Sequence, residues 1–101
     1  MGKYAVFGTE DFVELRSNLD YWERKLIEKV QEQLAQNPTG KILKYYWFRE
    51  KKFGDKRLYF IVDDNLKKVL IIAYGSKKEQ QKTIRQILLN MDDFLEELKI
   101  I

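Results

Sequence analysis

The chain lacks cysteine and histidine, and it contains a single proline, Pro38. Without cysteine it cannot form disulfide bonds or a thiolate zinc site. Without histidine it lacks the side chain that most often acts as a general base near neutral pH and most often binds transition metals. Catalysis would have to use lysine, arginine, tyrosine or carboxylate groups, and we expect neither a metal nor any other cofactor.

Long apolar runs are also absent. None approaches the roughly 18 residues of a membrane span, and the N-terminal segment lacks the apolar core of a signal peptide. We therefore expect no membrane association and a cytoplasmic location. The 101 residues are 45% hydrophobic and 35% charged, which is typical of one ordered domain, and we assign residues 1–101 to it.

Charge is unevenly distributed along the chain. Residues 41–85 carry 13 basic and five acidic side chains, whereas residues 1–40 carry five basic and seven acidic ones. Residues 86–101 carry one basic and four acidic side chains. A basic middle between acidic ends can bind a polyanion such as a nucleic acid. A lysine-rich surface in water is the alternative, and charge alone does not decide between the two.

The N-terminal half predicts a strand and two helices. Lys3–Phe7 is a short apolar run, and Thr9 after it is a good helix N-cap. Apolar residues then recur every three or four positions, which predicts a helical stripe. The polar cluster at 17–20 predicts a break, so we expect helices at about 9–18 and 20–36 that fold back as a hairpin. The stripe comprises Phe12, Leu15, Leu19, Trp22, Leu26, Val30 and Leu34.

Three strand-like runs follow the loop at 37–40, namely Tyr45–Phe53, Lys56–Asp63 and Lys68–Tyr74. Aromatic and β-branched residues dominate them, and short polar breaks separate them. Breaks this short can join only antiparallel neighbours. The third run is apolar enough to be covered on both faces. The charges of the first run should line an open concave face or an edge.

The chain should end in one long helix. Ser76 and Glu79 have the spacing of a capping box. An apolar stripe continues from Ile84 to Ile101, and its C-terminal half should project and pair with a partner. We predict an α+β fold with an antiparallel sheet, in the order β-α-α-β-β-β-α. The expected core contains Trp22, Leu26, Val30, Leu58, Phe60, Val62, Leu70, Ile72, Ile84 and Leu88.

Lys77 and Lys78 lie in the predicted first turn of this helix. The helix dipole disfavours cations at that end, by a few tenths of a kcal/mol each when they are exposed. A bound anion would make the arrangement favourable, and phosphate is the natural candidate. The alternative is that both side chains extend into water.

Three segments resemble the RelE/HigB branch of the RelE/ParE toxin superfamily. They are Trp47–Phe53, Gly54–Phe60 and Gly75–Gln81, which are similar to two strand motifs and to the start of the last helix in that family. The helical hairpin, the Asn-Pro-Thr-Gly loop at 37–40 and the three strands also match that fold. After Tyr74 the only aromatic residue is Phe94, so the tyrosine of RelE is missing, which favours the HigB branch.

The resemblance implies a toxin that cleaves messenger RNA on the ribosome by attack of the RNA 2′-OH and is neutralised by an antitoxin in a hetero-oligomer. It places Arg57 at the scissile phosphate. We assign Lys52 the role of base, and Lys77 or Lys78 assistance to the leaving oxygen. For each lysine, simple phosphate contact is the alternative to proton transfer. Further RNA contacts are expected from Lys44, Arg49, Lys51, Lys56 and Ser76.

Two other functions remain open. One is a ParE-like protein that inhibits DNA gyrase and cuts nothing. The basic strands argue against it, because gyrase binding does not need a phosphate clamp. The other is an inactive basic module of the same fold that binds RNA or only its antitoxin.

Overall fold

The computed structural model describes residues 3–101 and shows a mixed β-sheet with helices on both faces. Within these residues the strands are β1 (Ala5–Gly8), β2 (Lys41–Ile42), β3 (Phe48–Phe53), β4 (Lys56–Asp63) and β5 (Lys68–Ser76). The α-helices are α1 (Glu10–Ser17), α2 (Tyr21–Gln36), α3 (Gln80–Leu89) and α4 (Met91–Ile100). A 3₁₀ turn, Lys77–Glu79, connects β5 to α3. The predicted α+β architecture is confirmed.

The N-terminal helical hairpin forms where the polar residues predicted it. The Thr9 hydroxyl accepts a hydrogen bond of 3.1 Å from the backbone N–H of Phe12 and caps α1. The Asp20 carboxylate accepts one of 2.8 Å from the N–H of Glu23 and caps α2. Each cap satisfies a backbone donor that the helix itself leaves free. The chain therefore turns between residues 17 and 21 and folds back over the sheet.

The strands are arranged in the order β1-β5-β4-β3-β2. The pairs β3–β4 and β4–β5 are antiparallel, so the predicted meander is confirmed. The prediction of a wholly antiparallel sheet is wrong at β1, which pairs parallel with β5. Parallel pairing needs a long connection, and the two helices and three strands between β1 and β5 provide it. Nothing in the short run at 3–7 indicated which strand would be its neighbour.

Both faces of the sheet are covered, and each face has its own apolar core. The residues buried beneath α1 and α2 are Phe12, Ile27, Val30, Leu34, Leu58, Phe60, Val62, Val69, Ile71 and Tyr74. Those buried beneath α3 and α4 are Phe48, Tyr59, Ile61, Leu70, Ile72, Ile87, Met91 and Leu98. Alternate residues of β4 serve the two cores, as its two-residue periodicity predicted.

A bulge in β5 changes which side chains face each core. Tyr59 pairs with Ala73, but the next residue, Phe60, pairs with Ile71, so Ile72 is an extra residue. Ile71 and Tyr74 therefore lie in the core under α1 and α2, although three positions separate them. Gly75 then lies directly opposite Arg57 of β4.

Two predicted core residues are on the surface. Trp22 is 78% exposed and Leu26 is 38% exposed, so the prediction that they are buried is wrong. Helix α2 instead buries Ile27, Val30 and Leu34. Both sets have helical spacing, and the sheet contacts the second. Val30, Leu58, Phe60, Val62, Leu70 and Ile72 are buried as predicted, and Ile84 and Leu88 are partly buried against the core under α3 and α4.

The C-terminal segment differs most from expectation. The predicted single helix is interrupted at Asn90, where α3 ends and α4 begins. The expected projection of its second half is also wrong, because α4 packs back on the sheet and buries Met91 and Leu98. No capping box forms at Ser76, since this residue ends β5 and its side chain makes no capping hydrogen bond.

The first strand of the meander is shorter than predicted. It begins at Phe48 rather than Tyr45, because residues 44–47 turn to join β3 to the short edge strand β2. No helix within residues 3–101 is long and apolar enough to cross a membrane.

Substitutions on the two sides of α2 should differ in their effect on stability, because one side is buried and the other is exposed. Ile27 is fully buried, and Ile27→Ala should lower the free energy of unfolding by about 2–5 kcal/mol through lost burial and the cavity left behind. Trp22→Ala should change it by only about 0.5 kcal/mol, since Trp22 is mostly in water. Urea denaturation measures both, and a larger loss for Trp22→Ala would contradict this packing.

Candidate functional site

A cleft of about 510 Å³ opens at the end of the sheet where β3 turns into β4. It combines five basic side chains with one acidic and several polar groups. Its lining residues are Thr39, Gly40, Lys41, Glu50, Lys51, Lys52, Arg57, Lys77 and Gln80. Four residues predicted from the sequence, Lys51, Lys52, Arg57 and Lys77, thus meet at one place.

Strand pairing brings the charged residues of the cleft together. Lys52 of β3 lies directly opposite Arg57 of β4, and Glu50 lies opposite both Tyr59 and, on its other side, Lys41 of β2. Directly paired residues point to the same face of a sheet. The antiparallel register therefore produces two adjacent rows of polar side chains on the face covered by α3.

Arg57, which the family resemblance places at the scissile phosphate, is buried. The residue is 4% exposed, and its Nε lies 3.6 Å from a carboxylate oxygen of Glu50. Its Nη1 donates hydrogen bonds of 2.9 Å to the carbonyl oxygens of Gly54 and Lys56. The guanidinium is largely occupied by the protein itself. We therefore expect Arg57→Ala to disturb the fold.

Glu50 connects the sheet to the last helices. It is 5% exposed, and its second carboxylate oxygen accepts a hydrogen bond of 2.6 Å from the side-chain amide of Gln80 at the start of α3. One buried carboxylate thus contacts β4 through Arg57 and α3 through Gln80. Charge-assisted hydrogen bonds of this kind are stronger than those between neutral groups.

Two turns close the ends of the cleft. Gly54 adopts a φ of +57°, a left-handed conformation that glycine tolerates best. After it, the Asp55 carbonyl accepts a hydrogen bond of 2.6 Å from the N–H of Lys77. At the other side, a Cβ on Gly40 would lie 2.8 Å from the Glu50 carbonyl oxygen. Glycine is therefore needed there for the loop to approach β3.

The exposed cations of the cleft are Lys41, Lys52 and Lys77. None of them forms a salt bridge within residues 3–101, so their ammonium groups are available to an anion. Gly75 lies opposite Arg57, and a Cβ there would meet nothing within 4 Å. This geometry suits a phosphate group held by several lysines.

The Tyr59 hydroxyl stays protonated at neutral pH. Burial, and then the negative charge of Glu50, raise the pKa of Tyr59 to about 12, while Arg57 opposes the shift. No group of three or more histidine, cysteine or acidic residues able to hold a metal occurs within residues 3–101.

The other predicted site residues lie outside the cleft. Lys78 is exposed beyond it, and Lys56 and Ser76 are half-buried partners across β4 and β5. Lys44 lines a separate groove beside α3. Arg49 has a structural role, because its Nη1 donates a hydrogen bond of 2.7 Å to the Pro38 carbonyl. Its guanidinium also lies 4.9 Å from the Tyr46 ring centroid.

Lys41, Glu50 and Gln80 are among the cleft residues that were not predicted. A signal for Glu50 was present, since it is the single acid in a basic strand and shares its two-residue periodicity with Lys52. Lys41 directly follows the glycine that ends the loop at 37–40. Gln80 could not have been found, because its role depends on where α3 begins.

The arrangement just described defines a small α+β domain with a basic cleft at one end of its sheet. The intact RelBE toxin–antitoxin complex of E. coli is similar, with a TM-score of 0.65 and 19% identity over 72% of this chain and 95% of that chain. The RelBE2 complex of Mycobacterium tuberculosis has a TM-score of 0.65 and 21% identity, over 75% of this chain and 93% of that chain. The archaeal RelE–RelB complex of Pyrococcus horikoshii has a TM-score of 0.64 and 14% identity, over 73% of this chain and 94% of that chain.

No protein-family model matches the sequence, and no curated protein matches it either. The structural likeness shows the fold, and this chain has the fold of the RelE toxins. The resemblance seen in the strand motifs is confirmed at that level.

Removing Arg57 should destabilise the protein. Arg57→Ala would leave Glu50 buried without its cation, and this should cost about 3–5 kcal/mol of unfolding free energy. Lys52→Ala, directly opposite but exposed, should cost no more than about 0.5 kcal/mol. The double substitution Glu50→Met with Arg57→Met should recover much of the loss. Urea denaturation tests all three, and equal midpoints for Arg57→Ala and Lys52→Ala would refute the structural role of the pair.

Proposed function

We propose that this protein is the toxin of a toxin–antitoxin pair and that it cleaves messenger RNA on the ribosome in the cytoplasm. The observation that carries the proposal is the cleft, where basic residues from β2, β3, β4 and the turn before α3 converge on a RelE fold. Several cations around one opening fit a phosphodiester backbone. The sequence motifs point to the HigB branch of these toxins.

The proposed reaction is attack of an RNA 2′-oxygen on the adjacent phosphorus. The new oxygen–phosphorus bond gives a 2′,3′-cyclic phosphate, and the bond to the 5′-oxygen breaks. Lys52 has the role of the general base that takes the proton of the 2′-OH, and Lys77 gives a proton to the leaving 5′-oxygen. Lys41 binds the non-bridging oxygens as negative charge develops. Arg57 acts as a positioning residue, because its guanidinium holds Glu50 and the β3–β4 turn.

One observation favours a second candidate, the inactive module that binds RNA or antitoxin without cutting. Arg57, which the resemblance places at the scissile phosphate, has its Nη1 bound to two carbonyls and its Nε 3.6 Å from a Glu50 carboxylate oxygen. A phosphate would have to compete with that buried carboxylate. If Lys41, Lys52 and Lys77 only bind phosphate, the protein holds RNA in the cleft and leaves it intact.

An antitoxin is the proposed partner. The similar RelE proteins are found in complexes with RelB, and an acidic or amphipathic segment would complement the cleft here. It should neutralise the toxin by covering Lys41, Lys52 and Lys77. Acetylation of these lysines, read by mass spectrometry, should fall sharply in the complex while that of Lys99 on α4 does not change. Unchanged labelling of the cleft would contradict this mode of inhibition.

Cleavage on programmed ribosomes tests the nuclease directly. Lys52→Gln should lower the rate by about 10² or more, which is typical for loss of a group that transfers a proton. Lys77→Gln should behave similarly. Lys99→Gln is a matched control, because Lys99 is an exposed lysine on α4 far along the chain from the cleft residues.

Each result has a definite meaning. Equal cleavage by the wild type and Lys52→Gln would remove Lys52 from the reaction. Absence of cleavage by the wild type, together with retained RNA binding, would favour the inactive module. Arg57→Ala is unsuitable here, because its loss of stability would obscure any effect on the rate.

A further inference from the structure

A second basic groove lies beside the cleft, with a volume of about 470 Å³. One wall is α3, and the other is the turn between β2 and β3. Its lining residues are Lys44, Gln81, Ile84, Arg85, Leu88 and Leu89. Two cations therefore border a floor that is otherwise aliphatic.

The groove continues the line of the cleft. Gln80 of α3 lines the cleft, and its neighbour Gln81 lines the groove. On the opposite wall, Lys41 borders the cleft and Lys44 borders the groove, three residues further on. With a rise of 1.5 Å per residue, Arg85 lies about 8 Å along the helix axis from Gln80. Consecutive nucleotides of one extended strand can span that distance.

The charges of the groove suit an anion. No acidic residue is among those that line it. Neither Lys44 nor Arg85 forms a salt bridge within residues 3–101, so neither charge is neutralised by a described acid. Arg85 can bind a phosphate through two parallel hydrogen bonds, because its guanidinium is planar.

The groove also has apolar and aromatic surfaces that suit a base. Ile84 and Leu88 are partly buried against the core beneath α3, and Leu89 is 78% exposed. At the groove's edge, Lys44 lies 5.7 Å from the Tyr45 ring centroid. The Tyr45 ring stacks on Trp47 with a centroid distance of 4.7 Å and an interplanar angle of 6°. Stacked, partly exposed rings are the surfaces on which proteins bind unpaired bases.

We propose that this groove is a second nucleotide subsite, which binds the single-stranded RNA where it leaves the cleft. Arg85 and Lys44 contact a phosphate, and the base lies on Ile84, Leu88 and the Tyr45 ring. The inference rests on the proposed function, because it extends the same RNA path. We favour an RNA strand over an acidic peptide, because Lys44 and Arg85 line the groove without an acid and the same two segments also line the RNA cleft.

Binding to RNA of two lengths tests the subsite. The probe is fluorescein-labelled 2′-O-methyl RNA, which cannot be cut through its 2′-oxygen, in lengths of about two and about twelve nucleotides. Fluorescence anisotropy gives Kd over a series of salt concentrations. The variants are Arg85→Gln and Lys44→Gln, with Arg24→Gln on the exposed side of α2 as the matched control.

The subsite predicts an effect that depends on length. For the longer RNA, Arg85→Gln and Lys44→Gln should each raise Kd about three- to ten-fold. Each should also make the negative slope of log K against log salt shallower, by about 0.7. For the short RNA, which fills only the cleft, both variants should bind like the wild type. Lys52→Gln should weaken binding of both lengths.

Three results would overturn the inference. If Arg85→Gln binds the longer RNA as Arg24→Gln does, while Lys52→Gln is weakened, the subsite is wrong and the proposed function stands. If the wild type binds neither RNA in a salt-dependent way, both proposals fail. If Arg85→Gln loses binding only to a polyglutamate peptide and not to RNA, the groove is a protein-binding surface.

Discussion

The buried ion pair between Arg57 and Glu50 organises the polar end of this fold. Burying two charges is costly, and the attraction between them offsets that cost only when their remaining donors and acceptors are also satisfied. Here the Gly54 and Lys56 carbonyls and the Gln80 amide satisfy them. One pair therefore joins β3, β4, their connecting turn and α3. The exposed lysines around this ion pair therefore extend from backbone segments whose positions are fixed.

Much of the fold was predictable because local signals agreed with one another. The cap at Thr9, the polar cluster at 17–20, the two-residue period of β4 and the short polar breaks each indicated a structure that formed. Errors arose where a tertiary contact decided between two equally regular patterns. On α2, the stripe through Trp22 and the stripe through Ile27 both have helical spacing, and only the position of the sheet selects the second.

The candidate site was predictable only in part. Clustered positive charge is visible in the sequence, and together with the family resemblance it led to Lys51, Lys52 and Lys77. Burial of a charged residue is not visible in this way, since it depends on what lies opposite. Arg57 is buried because Glu50 is held beside it by the strand register and by Gln80. The second groove was equally hidden, because Lys44 and Arg85 are far apart in sequence and meet only where α3 crosses the sheet.

The bulge at Ile72 places Gly75 directly opposite Arg57, which lines the cleft. A Cβ at this position would touch nothing within 4 Å, so a small side chain fits without moving a neighbour. Because the chain contains no cysteine, Gly75→Cys would create the only thiol in the protein. A fluorophore or spin label attached there would report on whatever enters the cleft, from a position that carries no side chain of its own.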